Sequence, residues 1–161
     1  MSIKRLWAPW RVSYTRGKKT KKCIFCKSIS ASSASFVIYK TKHSVSLLNI
    51  YPYNNGHAMI APRRHVKELA HLKEAEILDL VRTLNRTQML LDKVLNPEGY
   101  NIGINISESA GAGIVGHLHI HLVPRWKGDT NFMPILSNTK VISQALDDLY
   151  KQLKHAQSKI H

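Results

Sequence analysis

The chain has 161 residues, 43% of them apolar, enough for one domain with a proper core and too few for two ordinary ones. No apolar run approaches the ~20 residues of a membrane span, and the basic, aromatic N-terminus lacks a signal peptide's apolar core, so a cytoplasmic protein without a membrane partner is expected. Lys and Arg outnumber Asp and Glu by 24 to 10, a formal net charge of +14, which favours polyanionic partners without choosing between phosphorylated small molecules and nucleic acid.

Residues 1–22 read as a basic arm containing Pro9 and a lysine run, Lys18, Lys19, Lys21 and Lys22. That run is expected to be a solvated surface segment, not a specific nucleic-acid site. A single domain then spans 23–161, opening on Cys23-Ile24-Phe25-Cys26. Two cysteines are too few for a disulfide framework, which leaves redox chemistry or metal binding. Residues 28–35, rich in Ser and Ala, suit a loop or a short helix. Residues 36–40 and 44–50 suit a strand hairpin, and 51–56 (YPYNNG) is turn chemistry. A short apolar strand over 58–61 ends at Pro62.

Residues 73–95 form the clearest helix. Ile77, Val81, Leu84, Leu91 and Leu95, flanked by Leu78 and Leu80, make an apolar stripe expected to face the core. Asn96-Pro97 stops it. A strand over 100–106, a glycine-rich loop over 107–116, a strand over 117–125 and a loop over 126–134 follow. A second amphipathic helix is expected over 139–154, with Val141, Ile142, Leu146, Leu149 and Leu153 apolar. The order gives an α+β fold, an antiparallel sheet covered by helices on one face.

His117, His119 and His121 alternate with Leu118, Ile120 and Leu122. On a strand, alternate side chains share a face, so three imidazoles line one surface and three aliphatic groups the other. Imidazole serves near neutral pH as nucleophile, general acid or base, or metal ligand.

HLHIHLVPR resembles the signature of the histidine triad family of nucleotide hydrolases and transferases. LNIYPYNNGHAMIAPRRHV is similar to that family's first substrate-binding segment, and GYNIGIN to the strand before the triad. LWAPWR and PRWKGDTNFMPIL look like the bacterial branch related to diadenosine tetraphosphate phosphorylases. The resemblance implies a five-stranded antiparallel sheet with a long helix, and a homodimer whose sheets join. It implies cleavage of a dinucleoside polyphosphate, a small-molecule nucleotide substrate, at the α-phosphate. His119 is then the nucleophile, with His121 and His57 contacting that phosphate.

By the same resemblance Asn49 holds the ribose and Asn105 lies near phosphate or leaving group. Trp126 stacks on a base or packs at a dimer contact. Independently, Gly111 and Gly113 lie in a glycine-rich loop whose amides are expected to cradle phosphate, since glycine permits close backbone approach. Where relatives carry a glutamine before the triad, this chain has Gly111-Ala112-Gly113-Ile114-Val115-Gly116, which favours inorganic phosphate as acceptor. In zinc-containing relatives, residues matching Cys23, Cys26, His65 and His117 bind one structural zinc. The competing class is a nucleotide-binding module without turnover, for which the middle histidine is unnecessary.

Overall fold

The computed structural model describes residues 23–31, 36–130 and 141–159. The basic arm expected over 1–22 lies outside them. The elements are α1 (Ile24–Ser30), β1 (Val37–Lys40), β2 (Ser44–Leu48), β3 (Ala58–Pro62), α2 (Glu74–Leu95), β4 (Gly99–Ile104), β5 (Ile120–Arg125) and α3 (Leu146–Gln157). The strands form one five-stranded sheet in the order β1-β2-β3-β5-β4, antiparallel at every pairing.

Register decides which side chains share a face. Val45 stands opposite Ala61, Leu47 opposite Met59, Met59 opposite His121, and His121 opposite Gly103. These residues lie on one side of the sheet. Ile60 and Ile120, also opposed, point to the other side, where Ile38, Leu48, Leu122 and Ala58 pack with Leu80, Leu90 and Leu91 of α2 and Leu149 and Leu153 of α3. The histidine side is covered too: Phe25 of α1 is fully buried among Val37, Val45, Leu47, Met59 and Ala61. Helices therefore cover both faces, where the sequence suggested one.

The α2 stripe is corrected in part: Leu80 and Leu91 are buried and Leu84 and Leu95 pack against the core as expected, but the rest of the stripe does not. Its buried positions are Glu76, Leu80, Thr83, Thr87, Leu90 and Leu91, whereas Ile77, Leu78, Val81 and Met89 are 45–60% exposed. The helix is turned because its polar residues find partners on the sheet side. The Thr87 hydroxyl donates to the Thr83 carbonyl at 2.7 Å and is hydrogen-bonded with Ser46 Oγ at 2.8 Å, and small hydroxyl side chains let helix and strand approach closely. The carboxylate of Glu76 accepts the Lys73 amide and a two-point bond from Arg64 at 2.9 and 2.6 Å, which holds its pKa down at about 2. Asn96, in the left-handed region at φ 45°, ends α2 ahead of Pro97.

The last helix begins at Leu146, and Val141, expected inside it, is exposed. Leu149 and Leu153 are buried as the periodicity required. Among the described residues no helix is long and apolar enough to cross a membrane.

Candidate functional site

The approach to β5 carries the three triad histidines. His117 and His119 precede the strand and His121 lies within it, and all three are buried at 9% exposure or less. The alternation holds: Leu118, Ile120 and Leu122 are buried as well, with Ile120 and Leu122 in the helix-side core. The Leu118 amide donates to the Val66 carbonyl at 2.7 Å, tying this segment to the one after β3.

The hydrogen-bond partners fix each tautomer. His119 Nδ1 lies 2.8 Å from the His117 carbonyl. A carbonyl only accepts, so Nδ1 carries the proton and Nε2 keeps its lone pair. His57 Nδ1 receives the Tyr53 amide at 3.1 Å, with the Asn49 carboxamide nitrogen at 3.3 Å. An amide only donates, so the His57 proton sits on Nε2, which donates to His121 Nδ1 at 2.9 Å. His121 therefore carries its own proton on Nε2. The chain presents a lone pair on one imidazole and an N–H on the next, their ring centroids 4.8 Å apart.

This assignment needs neutral rings, and the surroundings provide them. Burial, then the neighbouring His121 and His119, pushes His57 down to about 3. Burial, then His119, pushes His121 down to about 4. Burial lowers His119 as well, against the opposing bond to the His117 carbonyl. Phe25 packs on the other side of the triad, 5.1 Å from both His117 and His119.

The second cluster joins four residues from three segments. Cys23 precedes α1 and Cys26 lies in its first turn; His65 follows β3, and His117 precedes β5. Their ligand atoms all lie within 4.8 Å of one another. Cys23 Sγ is 3.2 Å from His117 Nδ1, Cys26 Sγ 3.2 Å from His65 Nδ1, and Cys26 Sγ 3.7 Å from His117 Nδ1. Tetrahedral zinc, with Zn–S near 2.3 Å and Zn–N near 2.05 Å, separates S from N by roughly 3.6 Å, so the donor set fits such an ion. His117 Nε2 donates to the Pro62 carbonyl at 2.8 Å, which leaves Nδ1 free as a ligand atom. Burial and the adjacent Cys23 raise the Cys26 thiol pKa, the opposite of what an activated redox thiolate needs.

The other expected residues divide. Asn49 is buried; its carbonyl oxygen accepts the Tyr51 amide at 2.9 Å while its nitrogen backs His57, so it shapes the turn that carries His57. Asn105, half-buried, lies one residue beyond β4, and Gly103, on the same strand, opposes His121. Gly111 adopts φ 87°, and a side chain there would stand 3.8 Å from the Asn105 nitrogen. The Gly111 amide donates to the Glu108 carbonyl and the Ala112 amide to that of Ser107, so the loop's own turn uses both. Gly113 is exposed, with open space around it. Trp126 is not brought to the histidines: its indole N–H donates to the Asn96 carbonyl at 3.3 Å, at the far end of β5.

Three residues given no role from sequence support the site. Asp129 takes a two-point bond from Arg125 at 2.7 and 2.8 Å, the Trp126 amide and the Asn54 carboxamide at 2.7 Å. Asn54 also donates to the Pro124 carbonyl, locking the turn before His57 to the end of β5. Tyr53 packs against His57 and His121, with centroids at 4.5 and 5.6 Å. The Arg-to-Asp spacing of four was the one sequence signal for this lock; Asn54 and Tyr53 were hidden in residues read as generic turn formers.

Comparison with known proteins agrees with this geometry. Over 94% of its length this chain is 36% identical to the AP-4-A phosphorylase of Mycobacterium tuberculosis, covering 83% of that protein. It is 37% identical over 95 residues, 59% of this chain and 52% of the relative, to the asymmetrical bis(5'-nucleosyl)-tetraphosphatase of Schizosaccharomyces pombe. The fold matches the crystal structure of a Zn-bound histidine triad family protein from Mycobacterium smegmatis at a TM-score of 0.69 and 23% identity, over 86% of this chain and 94% of that one. With residues 30–128 matching the HIT domain model as well, this chain belongs to the HIT, or histidine triad, family.

Proposed function

We propose that this chain cleaves dinucleoside polyphosphates, such as diadenosine tetraphosphate, at the α-phosphate through a nucleotidyl-histidine, and passes the nucleotidyl group to inorganic phosphate or water. The observation that carries this is the pair of tautomers: a lone pair on His119 Nε2 beside a proton on His121 Nε2. A neutral imidazole attacks an anionic phosphorus centre without adding negative charge. His119 Nε2 bonds to phosphorus as the bond to the departing polyphosphate oxygen breaks, and that oxygen leaves with the electron pair. The His117 carbonyl, bonded to Nδ1–H, stabilises the positive charge that forms on the ring. His121 donates to a phosphate oxygen. Both His57 nitrogens are engaged within the chain, so it acts behind His121, holding its tautomer. Phosphate or water then attacks, the P–N bond breaks, and neutral His119 returns. Asn105 and the Gly113 side of the loop line the phosphate path.

Cys23, Cys26, His65 and His117 would hold zinc as a closed site with four protein ligands, whose contribution is structural. Held there, those four residues would tie α1 and the segment after β3 to the residue whose carbonyl orients His119. The exposed edge strand β4 supports a homodimer with sheets joined along it. The similarity to the mycobacterial phosphorylase and the residues Gly111 to Gly116, in place of a loop glutamine, favour phosphate as acceptor.

Incubation with diadenosine tetraphosphate, with and without phosphate, tests the reading by product mass. ADP with ATP, formed only when phosphate is present, is the expected result. AMP with ATP regardless of phosphate makes water the acceptor, and formation of neither pair refutes the proposed reaction.

A further inference from the structure

Tyr53 is the aromatic residue at the site that the nucleotidyl-transfer scheme leaves without a task. Tyr53 is 54% exposed, yet its turn is firmly held. The Asn49 side chain accepts the Tyr51 amide, and Asn54 is bonded to the Pro124 carbonyl and to Asp129. Gly56, at φ 76°, lies so close to Leu95 that a Cβ there would meet Cδ1 at 2.5 Å. A large apolar ring is thus presented to solvent from a rigid base. Its covered side rests on two imidazoles, tilted 42° to His57 and only 26° to His121.

Ring contacts run in the order Phe25, His119, His121, Tyr53. Phe25 is buried in the interior with Leu47 and Met59. Of these rings Tyr53, on the His121 side, is the one exposed to solvent. A substrate with a base at each end of a polyphosphate has a second base to place beyond the phosphorus centre, and Tyr53 is the exposed aromatic surface there.

We propose that Tyr53 is the stacking platform for an aromatic leaving group, the distal nucleobase of a dinucleoside polyphosphate, and so sets the preference for dinucleotides over substrates whose leaving group has no base. The inference rests on the nucleotidyl-transfer reading of the site. Base–aromatic stacking is tolerant of base identity, so the preference is for a second base, not for a particular one.

The test compares kcat/KM for diadenosine tetraphosphate and adenosine 5'-tetraphosphate, which transfer the same nucleotidyl group and differ in whether the leaving group carries a nucleoside. Tyr53→Leu lowers the ratio of the two values about tenfold, the effect of one lost stack, and Tyr53→Phe restores it. Proportional losses on both substrates would show that Tyr53 only positions His57 and His121, and would overturn the proposal; an unchanged ratio with full activity also overturns it. A wild-type protein inactive on both substrates refutes the underlying reaction and this inference with it, and that outcome is visible before any variant is made.

Discussion

The two faces of the sheet are both covered by helices and are differently built. Under α2 and α3, Ile38, Leu48, Ile60 and Leu122 meet Leu90, Leu91, Leu149 and Leu153 through apolar contact, where any group of similar volume serves. On the α1 face the apolar cluster around Phe25 is joined by buried imidazoles, and each imidazole has a specific answer: the Pro62 carbonyl and thiols for His117, the His117 carbonyl for His119, His57 for His121. Among the described residues, His119 Nε2 and His121 Nε2 are the triad ring nitrogens left without a partner, and these are the two assigned to the reaction. The α2 face holds the fold mainly by apolar volume, with the Thr87–Ser46 contact among its polar exceptions; the histidine face adds to its apolar cluster a set of polar bonds that aim two atoms.

The sharpest way to separate the faces is to remove one group from each. His119→Ala deletes the attacking atom and should lower kcat by about four to six orders of magnitude. Leu90→Ala, buried on the opposite face, should cost about 2–5 kcal/mol of stability through the cavity it leaves and retain turnover at low temperature. Chemical denaturation and steady-state rates on both variants check the pair. If Leu90→Ala lost turnover while still folded, or His119→Ala kept it, the division of labour would be wrong.

Metal removal acts on the histidine face alone. The wild type should contain about one zinc per chain by elemental analysis, and Cys23→Ser should lose it. The melting temperature should fall by about 10 °C, and the rate should fall as well because the His117 carbonyl loses its anchor. A metal-free wild type of full stability would contradict the zinc site, leaving the cysteines as bystanders.

Acidification should also act through the histidine face. His57 and His121 take up protons near their ordinary 6.5 in the unfolded chain but only near about 3 and about 4 when folded. Below 6.5 the unfolded state binds more protons, so stability is complete above that pH and declines as pH falls toward 4. His57→Gln should flatten the slope of melting temperature against pH between 6.5 and 4, and Leu90→Ala should shift the curve without changing its slope. An unchanged slope in His57→Gln would place the acid sensitivity elsewhere.

The sequence disclosed the two clusters because their chemistry fixes residue identity. A histidine every second residue has one geometric meaning on a strand, and CxxC limits itself to few uses. A backbone carbonyl on the far ring nitrogen of the middle histidine was foreseeable from its chemistry, and the His117 carbonyl supplies it. The bond from His57 to His121 was not legible, because the amide of Tyr53 sets its direction and any residue supplies an amide. The rotation of α2 was hidden for a related reason: Glu76, Thr83 and Thr87 look like surface residues until Arg64 and Ser46, from distant segments, satisfy them. Periodicity registers apolar side chains, and here a polar set with tertiary partners outcompeted part of the apolar stripe.

That rotation leaves Ile77, Leu78, Val81 and Met89 on the outer side of α2. β4 lies next to the helix, since the Tyr100 hydroxyl donates to Asp92 at 2.8 Å. It ends the sheet with an uncharged sequence, GYNIGI, and an exposed Ile102. Exposed edges in monomers are ordinarily guarded by charge, proline or a bulge, and no charge guards this one. Antiparallel pairing of β4 with itself across a two-fold axis would satisfy both copies at once. Ile102→Lys introduces the missing charge at that edge and should convert a dimer to a monomer in light scattering, while changing the unfolding free energy of the isolated fold by less than about 0.5 kcal/mol. A wild type that scatters as a monomer at micromolar concentration would mean that the outer stripe of α2 and the bare edge of β4 serve something other than a second copy.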